Sequence, residues 1–458
     1  MNRDRTAAVP EDLTGQPRRV PVGSGLRHTF RALRHRNYRL FFYGQLVSLI
    51  GTWMQQAALS WLVYQMTGSK FLLGVVAAAG SAPMMLFSMW GGSLADRHPK
   101  RTILLLTQTG SMLLAFALAF AVWLGKAEPW LILLIAAGNG AAMGFDMPAR
   151  QSFLTDLTSR EDLLNAVSLN SSIVNGARVV GPAVAGLALG HLGAAACFFL
   201  NGLSFLAVIA GLWRMRVSHH PAPAHAARRG HVAEGLRYAW HHVRVRTILA
   251  LFAVVGIFGW SYSVLMPAFA RDILGLGPDG YGALMAASGL GALFGALFVA
   301  AFGERVPVRI VALGGIWLFA VALAAFAFTR HFALALVFLW LSGAGLMLFF
   351  STANTTLQTI VPDEMRGRVM GVWALVFGVM IPLGSLEVGM LSPLLGAPAT
   401  IAFGAAVCAL AAAGTWWIIR RREAQAARES SQSPRHTRAG MQPAERHNQQ
   451  QRDLGGGL

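Results

Sequence analysis

The sequence predicts an all-α membrane protein in which twelve transmembrane helices form two six-helix, pseudo-repeated bundles. Three observations carry that reading. Of 458 residues, 55% are hydrophobic and only 13% charged, about half the charged share of a soluble domain. Long apolar runs separated by short loops fill residues 40–419, between a basic tail at each end. Basic residues collect in every second loop. The same composition excludes a disordered chain, a collagen and a secreted disulfide scaffold.

Each apolar run has roughly the 20 residues that a ~30 Å hydrocarbon core requires. The first six cover 40–65, 71–94, 102–125, 130–152, 163–190 and 193–214. The second six cover 247–270, 281–302, 308–329, 332–356, 368–393 and 397–419. Pro83, Pro182, Pro267 and Pro382 fall inside them, which membrane helices tolerate better than soluble ones. The first run is too long for a signal peptide and lacks its small-residue cleavage pattern. The expected organisation is a basic N-tail (1–39), one bundle (40–214), a linker (215–246), a second bundle (247–419) and a disordered C-tail (420–458).

With an even number of crossings, both termini share one side. That side holds 33 of the 38 Lys and Arg residues, the opposite side four, and Arg178 lies within a span. The bias places both termini in the cytoplasm, so the net charge of +18 reports orientation and no nucleic-acid partner is expected. The linker stretch from His231 carries Val232, Leu236, Ala239, Trp240 and Val243 on one helical face, as an amphipathic helix on the inner leaflet would.

The halves echo each other. Asp96-Arg97, Pro99 and Arg101 after the second span recur as Glu304-Arg305, Pro307 and Arg309 after the eighth, at a constant offset of 208. Pro182 and Pro382 fall at similar depths in the fifth and eleventh spans. A repeat of this length signals a duplicated architecture.

These residues resemble a known family. The segment from Gly92 to Arg101, with Asp96, Arg97 and Arg101, is similar to the loop between helices two and three of the major facilitator superfamily, although Pro99 stands where that pattern has glycine. The match narrows through Arg31-Ala32-Leu33-Arg34-His35-Arg36-Asn37-Tyr38-Arg39, Gly51-Thr52-Trp53-Met54-Gln55-Gln56 and Pro148-Ala149-Arg150-Gln151. Asn170-Ser171, Gly181-Pro182-Ala183 with Gly186, Leu265-Met266-Pro267 and Arg366-Gly367-Arg368-Val369 extend it. Together they resemble the branch called transmembrane secretion effectors, to which the enterobactin exporter belongs. The resemblance covers about residues 28–420 and implies proton-coupled export of a drug-like compound or siderophore by alternating access. It also implies that helices one, four, seven and ten line the pathway, and that Asp96 meets the start of helix eleven to hold the cytoplasmic side closed. Leu134 replaces the arginine of drug antiporters, although Gly138-Asn139-Gly140 fits.

Polar residues inside the spans mark candidate sites, because lipid satisfies none of them. Gln45, Ser48, Thr52, Gln55 and Gln56 share one face of the first span, either as a wall of the substrate cavity or as interhelical hydrogen bonding. Ser168, Ser171, Asn175 and Arg178 form a second stripe in the fifth. Asn139, Trp260 and Tyr262 complete the expected cavity. Proton coupling needs a buried carboxylate that exchanges protons with both sides. Asp146 and Glu387 are the candidates, Asp146 ranked first because the resemblance puts helix four on the pathway, with Arg178 facing either the cavity or a carboxylate. Helical rise puts Asp146 too shallow to pair directly with Arg178, whereas Glu387 matches its depth.

Cys197 and Cys408 read as small buried apolar residues. No metal spacing, phosphate-binding loop or catalytic constellation appears, so neither a cofactor nor enzymatic chemistry is expected. The expectation is a small-molecule and proton transporter, monomeric although the sequence leaves assembly open, in a bacterial cytoplasmic (inner) membrane. An uptake permease and a non-transporting sensor or scaffold are the alternatives.

Overall fold

The computed structural model describes residues 30–159, 161–215, 231–303 and 305–432. Arg160, Glu304, most of the linker and the outer parts of both tails lie outside the described residues. A 3-10 turn, Arg31–Arg34, leads into α1 (Arg36–Thr67), α2 (Lys70–Arg97), α3 (Lys100–Trp123) and α4 (Pro129–Leu157). The next helix, Leu163–Arg214, has 52 residues, which at 1.5 Å each would be roughly 78 Å, far more than one bilayer. It breaks at Gly193, whose φ of 81° lies in the left-handed region, giving α5 (163–192) and α6 (194–214). The linker helix α7 (His231–His241) precedes α8 (Val243–Ile273), α9 (Pro278–Phe302), α10 (Val308–Phe328), α11 (Phe332–Ile360), α12 (Asp363–Leu395) and α13 (Ala397–Gln432). Among the described residues, eleven helices are long and apolar enough to cross a membrane, and the break at Gly193 makes twelve crossings. No strand occurs among the described residues.

Most boundaries lie outside the expected ones, since a helix continues past the hydrocarbon into polar ends, whereas α3 stops at Trp123 and α10 at Phe328, just short of the expected 125 and 329. α13 is helical through Gln432, where the sequence placed the start of a disordered tail at 420; residues 433–458 lie outside the described residues. Both chain ends leave from one face, called here the near face. Turns on the far face carry left-handed glycines at Gly68, Gly125, Gly193, Gly275 and Gly396, a conformation that closes helix C-termini cheaply. Near-face helices instead start on prolines, with Pro99, Pro307 and Pro362 at the N-caps of α3, α10 and α12.

Two near-face latches follow the repeat. Ahead of α1, Asp162 at the start of α5 is buried, with Arg31 Nε at 2.7 Å, Arg34 Nη2 at 2.7 Å and His35 Nε2 at 2.7 Å. The hydrogen bond from His35, helped by Arg34 and Arg31 against the opposing effect of desolvation, holds its carboxyl below the ordinary aspartate range. A lowered native pKa stabilises at every pH above the ordinary value and is lost only as pH falls through the lowered one, so this latch persists through mild acid. Tyr38 donates to the Ala166 carbonyl at 2.9 Å beside it. Ahead of α8, α7 packs on the start of α12: Glu234 pairs with Arg368 at 2.9 Å, and Ala239 is buried with Val369 and Val372. Leu236 and Trp240 of α7 stay exposed. The amphipathic linker helix is therefore attached to the second bundle, with part of its apolar face left for the interface.

The bundles meet along two crossings, α2 with α12 and α5 with α9. A Cβ on Gly282 would lie 2.7 Å from both the Gly186 Cα and the Pro182 carbonyl, and one on Gly389 3.1 Å from the Gly74 Cα. Gly74 and Gly282 differ by the repeat offset of 208. Far-face side chains add a seal: Trp61 stacks on Tyr281 with centroids 5.5 Å apart, Tyr64 donates to Asp272, and Lys70 lies 4.0 Å from the same carboxylate. Tyr64 and Asp272 are also 208 residues apart, so equivalent positions of the two halves touch on the pseudo-twofold axis.

Toward the near face the same helix faces separate. The face of α5 that carries Pro182 and Gly186 also carries Asn175, Ser171 and Ser168, and those serines are exposed. On α2 and α12, Met85 still reaches Gly378, but Gly92, Gly367 and Gly371 have open space where a Cβ would stand. The halves thus touch on the far face and diverge toward the near face, leaving a vestibule between them.

Gly282→Val should wedge the far-face crossing. Overpacking costs about 1–3 kcal/mol, enough to shift a two-state equilibrium by roughly tenfold. In a background without the two native cysteines, a cysteine replacing the buried Leu189 should then react faster with a membrane-impermeant maleimide. Unchanged labelling would mean that this contact does not hold the far face shut.

Candidate functional site

The vestibule ends at α8, the least regular span. Residues Val255–Gly259 are π-helical, Trp260–Leu265 3-10 and Phe269–Ile273 π-helical again. Pro267 removes one backbone donor there, and irregular turns of this kind concentrate at functional sites. The segment packs tightly: a Cβ on Gly259 would lie 2.7 Å from Phe319 and 3.1 Å from Cys408 Sγ, and Gly256 faces Met380. Its polar groups point inward, with the Tyr262 hydroxyl 2.7 Å from Ser288 Oγ.

Arg178 sits against this segment. Its guanidinium carbon is 5.2 Å from the Trp53 ring centroid on α1 and 5.1 Å from that of Trp260 on α8, so the cation bridges the two halves. Trp260 in turn stacks on Phe350, 5.7 Å away. Arg178 Nε is buried without a hydrogen-bond partner, and no carboxylate lies within ion-pair distance among the described residues. The polar stripe Ser168, Ser171 and Asn175 leads along α5 to this group.

The two carboxylate candidates differ in their surroundings. Asp146 is buried between α3 and α4, accepting from Thr107 Oγ1 at 3.0 Å, from Gln108 Nε2 at 2.7 Å and from the Arg150 guanidinium one turn on. Every acceptor position of one oxygen is filled and the other is ion-paired. Glu387 on α12 is half-buried; both of its carboxylate oxygens are buried without a partner among the described residues. It lies one turn from Gly384, which meets Ser261 and Ile257 of α8. Arg178 and Glu387 do not pair; the irregular segment of α8 touches the surroundings of each.

The stripe of α1 divides. Gln45, Ser48 and Gln55 are buried in the first bundle. Gln55 accepts from Asn201 Nδ2 at 2.8 Å, and Asn201 in turn accepts from Ser204 at 3.0 Å. Gln45 is buried with neither amide atom partnered among the described residues. Thr52 bonds back to the Ser48 carbonyl at 2.8 Å, and Asn175 likewise to Ser171 at 2.9 Å. Gln56 is exposed and Asn139 half-buried, and Leu134, in the position of the antiporter arginine, is 63% exposed. Asn201 went unnoticed in the sequence, although Asn201 and Ser204 form an i, i+3 polar pair inside an apolar span. Trp53 was noticed only as part of a motif.

At the near face, Asp96 is exposed without an ion pair among the described residues, and Gly92 borders open space. Arg97 is exposed, while Arg101 donates to the Trp213 carbonyl at 3.0 Å and ties α3 to α6.

Two six-helix halves, glycine crossings between them and a vestibule on one side define a twelve-helix membrane transporter of the major facilitator fold. Solved structures agree on the fold. A bacterial homologue of the human lysosomal transporter Spinster, in an inward-facing and occupied conformation, aligns with a TM-score of 0.69 at 15% identity over 84% of this chain and 97% of that one. The nucleoside transporter NupG gives 0.67 at 13%, over 84% and 99%. The family described as transmembrane secretion effector matches residues 27–446, and the chain belongs to it. Among relatives, the Staphyloferrin A transporter of Staphylococcus aureus is 26% identical, over 78% of this chain and 90% of its own. The multidrug efflux pump Tap of Mycobacterium tuberculosis is 28% identical, over 79% and 88%. The enterobactin exporter EntS of Shigella boydii is 25% identical, over 74% and 81%. The protein is a multi-pass membrane transporter and not an enzyme.

Asp146→Ala should destabilise the first bundle, because hydrogen bonds to a charged group contribute about 1.5–3 kcal/mol each and Arg150 would lose its counter-charge. Asp146→Ala with Arg150→Ala should recover part of the lost melting temperature in detergent. A melting temperature unchanged by the single substitution would show that the network carries no stability.

Proposed function

We propose that the protein exports a small organic molecule across the bacterial cytoplasmic membrane by alternating access, driven by proton entry. The near face is the cytoplasmic one in this reading, since the short loops there hold the basic residues that membrane insertion retains inside. The vestibule then opens to the cytoplasm, as the loading state of an exporter must. Relatives named as siderophore and drug transporters support an amphipathic organic substrate. With the far face sealed by Tyr64, Asp272 and the glycine crossings, Asp96 and Arg97 are released from partners; they serve the opposite state, in which the near face closes.

The observation that carries proton coupling is the unpartnered carboxylate of Glu387. A proton carrier must lose and regain its proton during the cycle, and a carboxylate already held by an arginine and two donors resists that change. Asp146 is held in this way, so we assign it to positioning α3 and α4. Glu387 has no competing donor, and its neighbour α8 reaches the vestibule through Trp260. Protonation at Glu387 would thus bias the irregular segment of α8 that also packs on Arg178.

Purified protein in proteoliposomes with an imposed pH gradient tests this with a panel of carboxyfluorescein, ethidium and Nile red. At least one dye should accumulate with the gradient, against the direction of proton flow. Glu387→Gln should abolish that accumulation while dye exchange without a gradient continues. Movement of no dye under any gradient, or full gradient-driven transport by Glu387→Gln, would overturn the proposal.

A further inference from the structure

We propose that Arg178 is an anion anchor, and that the physiological substrate carries a carboxylate which binds its guanidinium. This deepens the transport reading and rests on it. A guanidinium has five N–H donors, and a charge inside the hydrocarbon is costly unless compensated. The protein supplies only part of the compensation. Trp53 and Trp260 cover the guanidinium from two helices, and such cation–π contacts offset part of that cost. Neither indole accepts an in-plane hydrogen bond, and the buried Nε has no acceptor. Aromatic faces supplied by two helices leave the edge of the fork as the place for an incoming oxygen pair, the geometry in which arginine binds carboxylates bidentately.

Position agrees with that role. Arg178 stands where the exposed polar stripe of α5 ends and the closed crossing with α9 begins: Gly289 of α9 would place a Cβ 3.3 Å from the Arg178 carbonyl. A molecule entering from the near face meets Ser168, Ser171 and Asn175 and reaches the cation last. Arg178 and Trp53 belong to the first half and Trp260 to the second, so an anion bound at the fork edge touches both moving bodies. The acids inside the membrane are committed elsewhere: Asp146 to Arg150, Asp272 to Tyr64 and Lys70. Glu387 makes neither a hydrogen bond nor an ion pair among the described residues. None of them neutralises Arg178 in this state, and a carboxylate brought by the substrate does.

The test separates binding from transport. For binding, the melting temperature of purified protein is followed against tricarballylate and benzoate, with the uncharged trimethyl tricarballylate and benzamide as matched controls. The carboxylates should stabilise the wild type and the uncharged partners should not. Arg178→Gln should weaken the carboxylate effect at least about tenfold, and Arg178→Lys should keep a measurable part of it, which distinguishes lost charge from lost packing. Equal stabilisation by the uncharged molecules, or an unchanged response in Arg178→Gln, overturns the anion site. For transport, carboxyfluorescein should be moved and ethidium should not. If ethidium is pumped and carboxyfluorescein is not, export stands and the anion anchor fails. If nothing is pumped while carboxylates still stabilise only proteins with a cation at 178, the anchor stands and the export reading fails.

Discussion

Hydrocarbon offers no hydrogen bonds, and every backbone and side-chain polar group that enters a bilayer must find its partner within the protein or in water. Helices follow at once, since they satisfy the backbone internally. The same constraint sorts the side chains. Gln55, Asn201 and Ser204 satisfy one another inside the first bundle, and Asp146 gathers Thr107, Gln108 and Arg150. Gln45, Ser342, Thr352 and Ser392 still hold buried neutral polar atoms without partners among the described residues, and inside the spans Arg178 and Glu387 are the charged side chains left with neither a hydrogen bond nor an ion pair there. A protein that keeps charged groups unpaired in so hostile a solvent forgoes stability at those positions, and function is the usual reason.

Span number, repeat and fold were legible in the sequence because each rests on composition over twenty residues or more. Apolar length reports a crossing whatever its neighbours are. The repeat was visible because charged loops are rare in such a chain, so Asp96-Arg97 and Arg305 stand out against the background. The sites were less legible, because a polar residue has the same appearance in sequence whether it faces a neighbouring helix or a vestibule. Gln55 and Gln56 are adjacent, yet one bonds to Asn201 and the other is exposed. Asp146 has a basic residue four positions on, an i, i+4 pair that could have been read as its partner. Glu387 and Arg178 match in depth along the helices, but depth along the membrane normal says nothing of which side chains meet, and these two make no ion pair among the described residues. The irregular turns of α8 left only Pro267 and its glycines as a trace.

Duplication also explains where the two halves differ. Equivalent positions meet on the axis at Tyr64 and Asp272, yet they carry different residues, so a symmetric contact became a hydrogen bond with a direction. The buried arginine lies in the first half and the unpartnered glutamate in the second. The turns are asymmetric across the membrane as well: left-handed glycines keep the far-face hairpins compact, while prolines and arginines mark the near face, where larger relative displacement has room.

The glycine crossings have a consequence for leakage. A seam closed by long side chains can yield gradually, since rotamers fold aside one at a time and admit a water or an ion through a partial gap. Where Gly186 meets Gly282 and Gly74 meets Gly389, backbone lies against backbone, and nothing at the seam can swing away on its own. Such a joint has no intermediate width: it opens only when whole helices part, together with the bundles that carry them. Beside the side-chain seal at Trp61, Tyr281, Tyr64 and Asp272, these crossings give the seam a part that moves only with the bundles themselves.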